Sequence, residues 1–290
     1  MSPSADSVPP KSNGLDPNNP FNKIWRGSKD GSIALKPMPK FDDPYAEREW
    51  IKAHLAAVFR YWGKMGYAEG NAGHITVRDP VLPGYYWMNP INVHYSTMTV
   101  SKLVLVDPNG RPSPYGAQLP INSAGFFIHS AIHEARPDIK AAAHCHSLHG
   151  KAWSVFGKPI EITTQDACIF YDNHSVYDNF GGVVLATEEG KNIAQALGPK
   201  NKTCILQNHG LLTLGTTVDE AARLFTLLDK QCHVMLLTAA ASSSGLKPNV
   251  IGKEEAEYTA KFLQEPEVTY SGFQSEFDLL VEETDGAFLK

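Results

Sequence analysis

Cysteine is scarce in this chain: four in 290 residues, Cys145, Cys168, Cys204 and Cys232, widely scattered and without a CxxC pair. That pattern fits reduced thiols in a cytosolic protein better than a disulfide framework. Long apolar runs are absent too, and nothing approaches the roughly 18 residues that a membrane span needs. The opening stretch MSPSADSVPPKSNGLDPNNP has no apolar core of the secretory kind, and the final Ala287-Phe288-Leu289-Lys290 matches no retention or peroxisomal signal. There is no Lys/Arg run; 26 basic against 31 acidic residues give a net charge of −5. An electrostatic footprint for nucleic acid or an anionic membrane is therefore missing. These absences predict a cytoplasmic protein with neither nucleic acid nor membrane as partner.

What is present is an ordinary globular composition, 42% hydrophobic and 20% charged, in a chain long enough to bury a large core without staples. Residues 1–42 are rich in Pro, Ser, Asn and Gly, and predict a flexible N-terminal extension. Folded structure is expected from Asp43-Pro44, an N-cap followed by proline at the first helical position, with Trp50, Ile51, Leu55, Val58, Phe59 and Trp62 at helical spacing until Gly63. Helices are also expected over Ser123–Ala135, Leu148–Val155, Glu188–Leu197, Val218 to about Ala241, and Glu254–Leu263. Strands are expected after the glycine turn at Gly70–Gly73, and at Tyr85–Met88, Leu103–Val106, Ile139–Cys145, Cys168–Phe170, Val183–Leu185 and Cys204–Gln207. Without regular βαβ alternation, the pattern predicts one α/β domain, a central sheet covered by helices. It spans 43–245, followed over 246–290 by a C-terminal helix and tail that pack on the domain or on a neighbouring subunit.

Eleven histidines invite scrutiny. His54, His174 and His233 read as surface or half-buried side chains. Ala143-His144-Cys145-His146-Ser147 is different, because imidazoles at i and i+2 of a strand share one face. His209 closes another apolar strand and precedes Gly210, which tolerates unusual backbone angles or a close approach. Two strand ends of one sheet would bring His144, His146 and His209 around a point. Three imidazoles suit a first-row divalent ion and leave it an open position. Histidines satisfied by backbone carbonyls are the competing reading. His129 and His133 are spaced i, i+4 on one helix, so at least one should face the core as a structural group.

Four segments together resemble the class II aldolase/adducin head domain family: Gly70-Asn71-Ala72-Gly73-His74-Ile75-Thr76-Val77-Arg78, Asn89-Pro90 ahead of Ser101-Lys102-Leu103, Arg136-Pro137-Asp138 leading to His144-Cys145-His146-Ser147, and Gln207-Asn208-His209-Gly210-Leu211-Leu212. The resemblance covers about residues 45–245. It implies an α/β fold with a mainly antiparallel sheet, a homo-oligomer, usually a tetramer, with sites at subunit interfaces, and a divalent metal, most often zinc, held by His144, His146 and His209. Sugar-phosphate aldolases of the family place a glutamate base where this chain has Gly125, and His74, Asn92 and Ala124 occupy phosphate-cradling positions. In these substitutions the chain resembles the adducin-like branch, yet it retains all three histidines.

Loss of that carboxylate narrows the chemistry. Removing a proton next to a carbonyl needs a placed base, whereas decarboxylation does not, and retro-aldol cleavage needs one only for a hydroxyl proton. The expectation is a metal-dependent carbon–carbon lyase, decarboxylase or retro-aldolase, acting on a small, unphosphorylated, oxygen-rich acid through a metal-stabilised enolate. The alternatives are a non-catalytic adducin-like interaction module and a metal-dependent dehydratase or epimerase. Tyr171, by the family's use of a tyrosine after the metal strand, is the candidate proton donor and His94 a second candidate catalytic group. His74, Asn92 and Ser123 are candidate substrate contacts.

Overall fold

The Asp43 side chain accepts a hydrogen bond from the Tyr45 amide and Pro44 takes the first helical position, so helix α1 (Pro44–Lys64) starts on its capping signal. The computed structural model describes residues 27–28, 32–181 and 187–290. The expected extension over 1–42 and the expected strand at Val183–Leu185 lie largely or wholly outside those residues. Lys40–Lys290 form one compact unit.

Its centre is a seven-stranded sheet: β1 (His74–Arg78), β2 (Tyr86–Met88), β3 (Val104–Val106), β4 (Ala141–Cys145), β5 (His174–Tyr177), β6 (Thr203–Leu206) and β7 (Gly210–Gly215). The order is β3-β2-β1-β4-β7-β6-β5. Every neighbouring pair is antiparallel except β5 and β6, as the mainly antiparallel expectation requires. Helices α2 (Ser123–Ala135), α3 (Leu148–Ser154), α4 (Thr187–Leu197), α5 (Val218–Ser242), α6 (Lys253–Leu263) and α7 (Pro266–Thr284) complete the architecture.

Strand alternation divides the helices between the two faces. Ala141, Ala143 and Cys145 of β4 join the cluster formed with α1 and α5. Ala142 between them packs instead with Ile132 of α2 and Ile193, Ala194 and Leu197 of α4. The result is a sheet buried on both sides, which explains why β7 (GLLTLG) and β4 (AAAHC) carry no polar alternation. His144 shares the parity of Ala142 and therefore faces the α2/α4 side.

Several expectations are corrected. Cys168-Ile169-Phe170 is not a strand but part of a 3₁₀ turn, Asp166–Phe170. Its Ile169 carbonyl and that of Tyr171 accept hydrogen bonds from Gln264. β5, β7 and the nineteen-residue α7 lack a distinctive period in the sequence; α7 packs on α1 and α5. His54 is buried, stacked on Phe277 and bonded through Nδ1 to Asp219 at 2.6 Å, because α1, α5 and α7 close over it.

Candidate metal centre and cavity

The antiparallel β4–β7 pairing assembles the centre. His144 lies one residue from the end of β4 and His146 one residue beyond it, with the Cys145 side chain turned to the opposite face. His209 belongs to the tight β6–β7 turn, whose Asn208 adopts a left-handed φ of 58° and whose His209 amide donates to the Leu206 carbonyl at 3.0 Å. Since Cys145 pairs with Leu211, that turn sits beside the end of β4. Gly210 permits the approach: a Cβ there would meet the Cys145 carbonyl at 3.0 Å.

One ligand atom from each of His144, His146 and His209 lies within 4.8 Å of the others, and their ring centroids are 4.7 to 5.1 Å apart. Three donors each about 2.1 Å from a common ion stand at most about 4.2 Å apart, a difference within reach of side-chain rotation. The donor set also has the right protonation. Burial, and then the neighbouring imidazoles, hold His144 well below its usual range. His209 is pushed down to about 4 by burial and His146 is lowered by burial and then Lys151. All three are neutral near pH 7, the form that ligates. His144 Nδ1 donates to the Leu211 carbonyl at 2.8 Å. A carbonyl can only accept, so the proton is on Nδ1 and the Nε2 lone pair is free to coordinate.

The centre opens into a cavity of about 510 Å³. Its walls include Ile128 of α2, Val155, Phe180, Leu206 and Leu212, together with Tyr177, Asn179, Asn122 and Asn208. Among the described lining residues Lys151 is the one lysine or arginine and Glu189 the one carboxylate. Both are engaged: Lys151 Nζ pairs with Glu69 at 2.5 Å, and Glu189 accepts the Tyr177 hydroxyl at 2.9 Å.

Of the remaining sequence candidates, His74 lines this cavity. The β1–β4 register sets it directly opposite His144, with ring centroids 5.1 Å apart. Ser123 is exposed at the start of α2 and does not line the cavity, although its neighbours Asn122 and Ala124 do. Asn122 caps α2 by accepting from the Gly125 amide. Asn92, with φ 62°, and His94 are both exposed; His94 caps the 3₁₀ turn Tyr95–Thr97 through Nδ1. Tyr171 is half-buried at the end of Asp166–Phe170. None of these last three lines the chain's own cavity. Of the helical pair His129 and His133, at least one of which is expected to face the core, His129 reaches the cavity while its Nδ1 contacts Thr76 Oγ1 at 3.0 Å. His133 of the same helix does stay structural, bonded to the same hydroxyl at 2.9 Å. Lys151 and Glu189 come from helices three residues or more beyond any motif, and no local signal marks them.

The description "Class II Aldolase and Adducin N-terminal domain" belongs to the family model that matches residues 53–236. Decarboxylase NovR of Streptomyces niveus is 41% identical over 238 residues, 81% of this chain and 86% of that protein. The 4-hydroxy-3-prenylphenylpyruvate oxygenase/4-hydroxy-3-prenylbenzoate synthase of Streptomyces roseochromogenus subsp. oscitans is 43% identical over 208 residues, 71% of this chain and 74% of that protein. Among solved structures, an L-fuculose 1-phosphate aldolase from Glaciozyma antarctica PI12 superposes with a TM-score of 0.79 at 40% identity, covering 87% of this chain and 97% of that one. With the family model matching residues 53–236 and a 40% identical structure superposing over 87% of the chain, the chain belongs to the class II aldolase and adducin N-terminal domain family.

Proposed function

We propose that this protein is a metal-dependent carbon–carbon lyase of the decarboxylase type, acting on a small, unphosphorylated acid. The observation that carries the reading is the pairing of three convergent neutral imidazoles with a cavity whose one described carboxylate already holds a tyrosine hydroxyl. When bound, a divalent ion, zinc being well suited to three imidazoles, supplies a Lewis acid for the negative charge that develops on a substrate oxygen. His144, His146 and His209 would hold it, and Leu211 fixes the His144 tautomer.

In decarboxylation the bond from the substrate skeleton to its carboxylate carbon breaks, CO₂ leaves, and the electron pair stays on the skeleton until carbon takes up a proton. No carbon-bound proton has to be removed first, which suits a cavity whose described wall offers no free carboxylate beside the histidines. Retro-aldol cleavage of a hydroxy acid needs only a hydroxyl proton to leave and stays the neighbouring option. Among the described wall residues a phosphate group would meet Lys151 as the one lysine or arginine, and that lysine is paired with Glu69. The apolar wall of Ile128, Val155, Phe180, Leu206 and Leu212 favours an aromatic or other apolar body on the acid. The names of the two Streptomyces relatives, a decarboxylase and a prenylbenzoate synthase, support the same direction.

Assembly into a homo-oligomer, a tetramer on the family pattern, belongs to the same reading. Tyr171, His94 and Asn92 enter it as groups offered to the cavity of a neighbouring copy, and Ser123 as a contact at the cavity's rim. The test is CO₂ release from a panel of hydroxyaryl and β-keto acids by protein loaded with zinc, cobalt, manganese or iron(II). Release that vanishes in His144→Ala supports the reading; carbonyl product without CO₂ would move it to aldol cleavage, and no product from any acid would contradict it.

A further inference from the structure

The lysine and the carboxylate among the described lining residues reach the cavity from different faces of the sheet. Lys151 comes from α3, which packs on α5 and β7, and Glu189 from α4, which packs on α2. Lys151 sits beside the histidines: after burial, its charge is what lowers His146. Glu189 is held elsewhere, by Tyr177. That tyrosine closes β5 opposite Leu206 and packs with Leu206 and Leu212 on the α2/α4 side, the side His144 faces. Its hydroxyl donates to Glu189 Oε2 at 2.9 Å and accepts from Asn179 Nδ2 at 3.4 Å. Gly190 lets the first turn of α4 reach this position, since a Cβ there would meet Ala131 Cβ and the Ile128 carbonyl of α2 at 2.8 Å.

Accepting the Tyr177 proton makes Glu189 a poor base, but it does not exhaust the group. A carboxylate has about four acceptor positions, and no described residue bonds Oε1 of Glu189. The start of α4 does not explain this placement. Glu188, in the same turn, is exposed and already complements the helix dipole, whereas Glu189 is half-buried beside an apolar wall. A carboxylate there attracts an O–H or N–H donor and repels a ligand's acid group, which is drawn instead to Lys151 and the histidines. We propose that Glu189 is a specificity-determining residue: its carboxylate, held by Tyr177, hydrogen-bonds a hydroxyl that the bound acid carries away from its acid group, and so turns that group toward the three-histidine centre. Tyr177 is a positioning residue that acts through Glu189. The inference rests on the lyase reading for the identity of the ligand as an acid, and it narrows the substrate class to hydroxylated acids. A site that pairs a partly buried acceptor with a substrate hydroxyl rejects the analogue lacking it more strongly than apolar contacts can.

The test uses full-length protein loaded with cobalt(II), whose visible spectrum reports the centre. Benzohydroxamate and its meta- and para-hydroxy and methoxy derivatives are titrated into it. In the wild type, one hydroxy derivative should bind about tenfold more tightly than its methoxy counterpart and than benzohydroxamate itself, the scale of a hydrogen bond to a charged group. Glu189→Met, of similar bulk, should bring that ratio to about one while its affinity for benzohydroxamate stays at the wild-type value. Glu189→Gln, which still offers an oxygen, should give an intermediate ratio. Tyr177→Phe should lower the ratio severalfold with cobalt content and benzohydroxamate affinity unchanged, a pattern that a packing defect would not produce. Wild-type ratios near one at both ring positions would overturn the proposal, as would a full ratio in Glu189→Met. If Glu189→Met does not fold, a Glu189→Gln ratio equal to the wild type overturns it instead. Cobalt-loaded wild type that ignores every hydroxamate sinks the Glu189 assignment alone, whereas wild type that takes up no cobalt sinks the three-histidine centre and the lyase reading as well.

Discussion

His144 and Leu211 stand across the β4–β7 pair, and the Leu211 carbonyl accepts the Nδ1 proton of His144 at 2.8 Å. A backbone group thus orients the deepest imidazole of the centre and leaves Nε2 for coordination. Metal uptake should follow the three rings and not the bulk of the fold. Single His144→Ala, His146→Ala and His209→Ala variants are expected to lose metal from about one ion per chain to a small fraction while keeping wild-type circular dichroism. Elemental analysis after dialysis checks this, and full retention in the His144→Ala/His209→Ala double variant would exclude the site.

The β6–β7 turn presents His209 only while Asn208 keeps its left-handed φ of 58°. Asn208→Gly should leave unfolding unchanged to within a few tenths of a kcal/mol, since glycine adopts this angle freely. Asn208→Val should cost about 1–2 kcal/mol and weaken metal binding, because relaxing the turn carries His209 away. Urea midpoints and metal titrations on the two variants distinguish these outcomes.

Acid should destabilise the metal-free fold above the range of ordinary carboxylates. His133 is fully buried, and burial, followed by the charge of Arg78, pushes it down to about 3. An unfolded chain protonates this residue below about 6.5, so between these values the unfolded state holds more protons. The stability tied to neutral His133 is complete above about pH 6.5 and is lost as pH falls toward 3, at up to about 1.4 kcal/mol per pH unit. Substituting His133→Gln should reduce the difference in urea midpoint between pH 7 and pH 5; an unchanged difference would contradict the assignment.

A buried ion pair ties α1 to the β1–β2 hairpin. The Asp79 carboxylate, fully enclosed, accepts from Arg48 Nε at 2.8 Å and is also bonded to Arg48 Nη2, the Leu82 amide and Trp87 Nε1. Arg48→Met leaves that charge unpaired and is expected to cost about 3–5 kcal/mol. Arg48→Met with Asp79→Asn should be less destabilised than the single variant, a sign reversal that thermal unfolding would register.

Tyr171 supplies a further expectation from its position outside its own chain's cavity. If it serves a neighbouring copy, mixing His144→Ala chains with Tyr171→Phe chains should restore part of the activity that each lacks alone. No complementation after subunit exchange would remove Tyr171 from the reading.

Much of this was legible in the residues, unevenly. The cap at Asp43 and the apolar periods of α1 and α5 placed those helices within a residue or two of their observed ends. The HxH spacing and His209 marked strand ends that do converge. Strands buried on both faces were harder: β7 has no alternation, and Cys168-Ile169-Phe170, equally apolar, turned out to be a 3₁₀ turn held by Gln264. β5 (HSVY) is short and half polar. At the site, the sequence spacing of His74 and Gly125, fifty-one residues apart in the chain, carries no hint that one ring fills the other's vacancy. That relation exists only once α2 lies against β1.

The most direct measurement is diffraction from crystals of metal-loaded protein at the absorption edge of the bound ion. A three-imidazole centre predicts one anomalous peak about 2.0–2.1 Å from a ring nitrogen of each of His144, His146 and His209. Metal-replete protein with no peak among these rings, or a peak elsewhere in the chain, would contradict the centre and the lyase chemistry built on it.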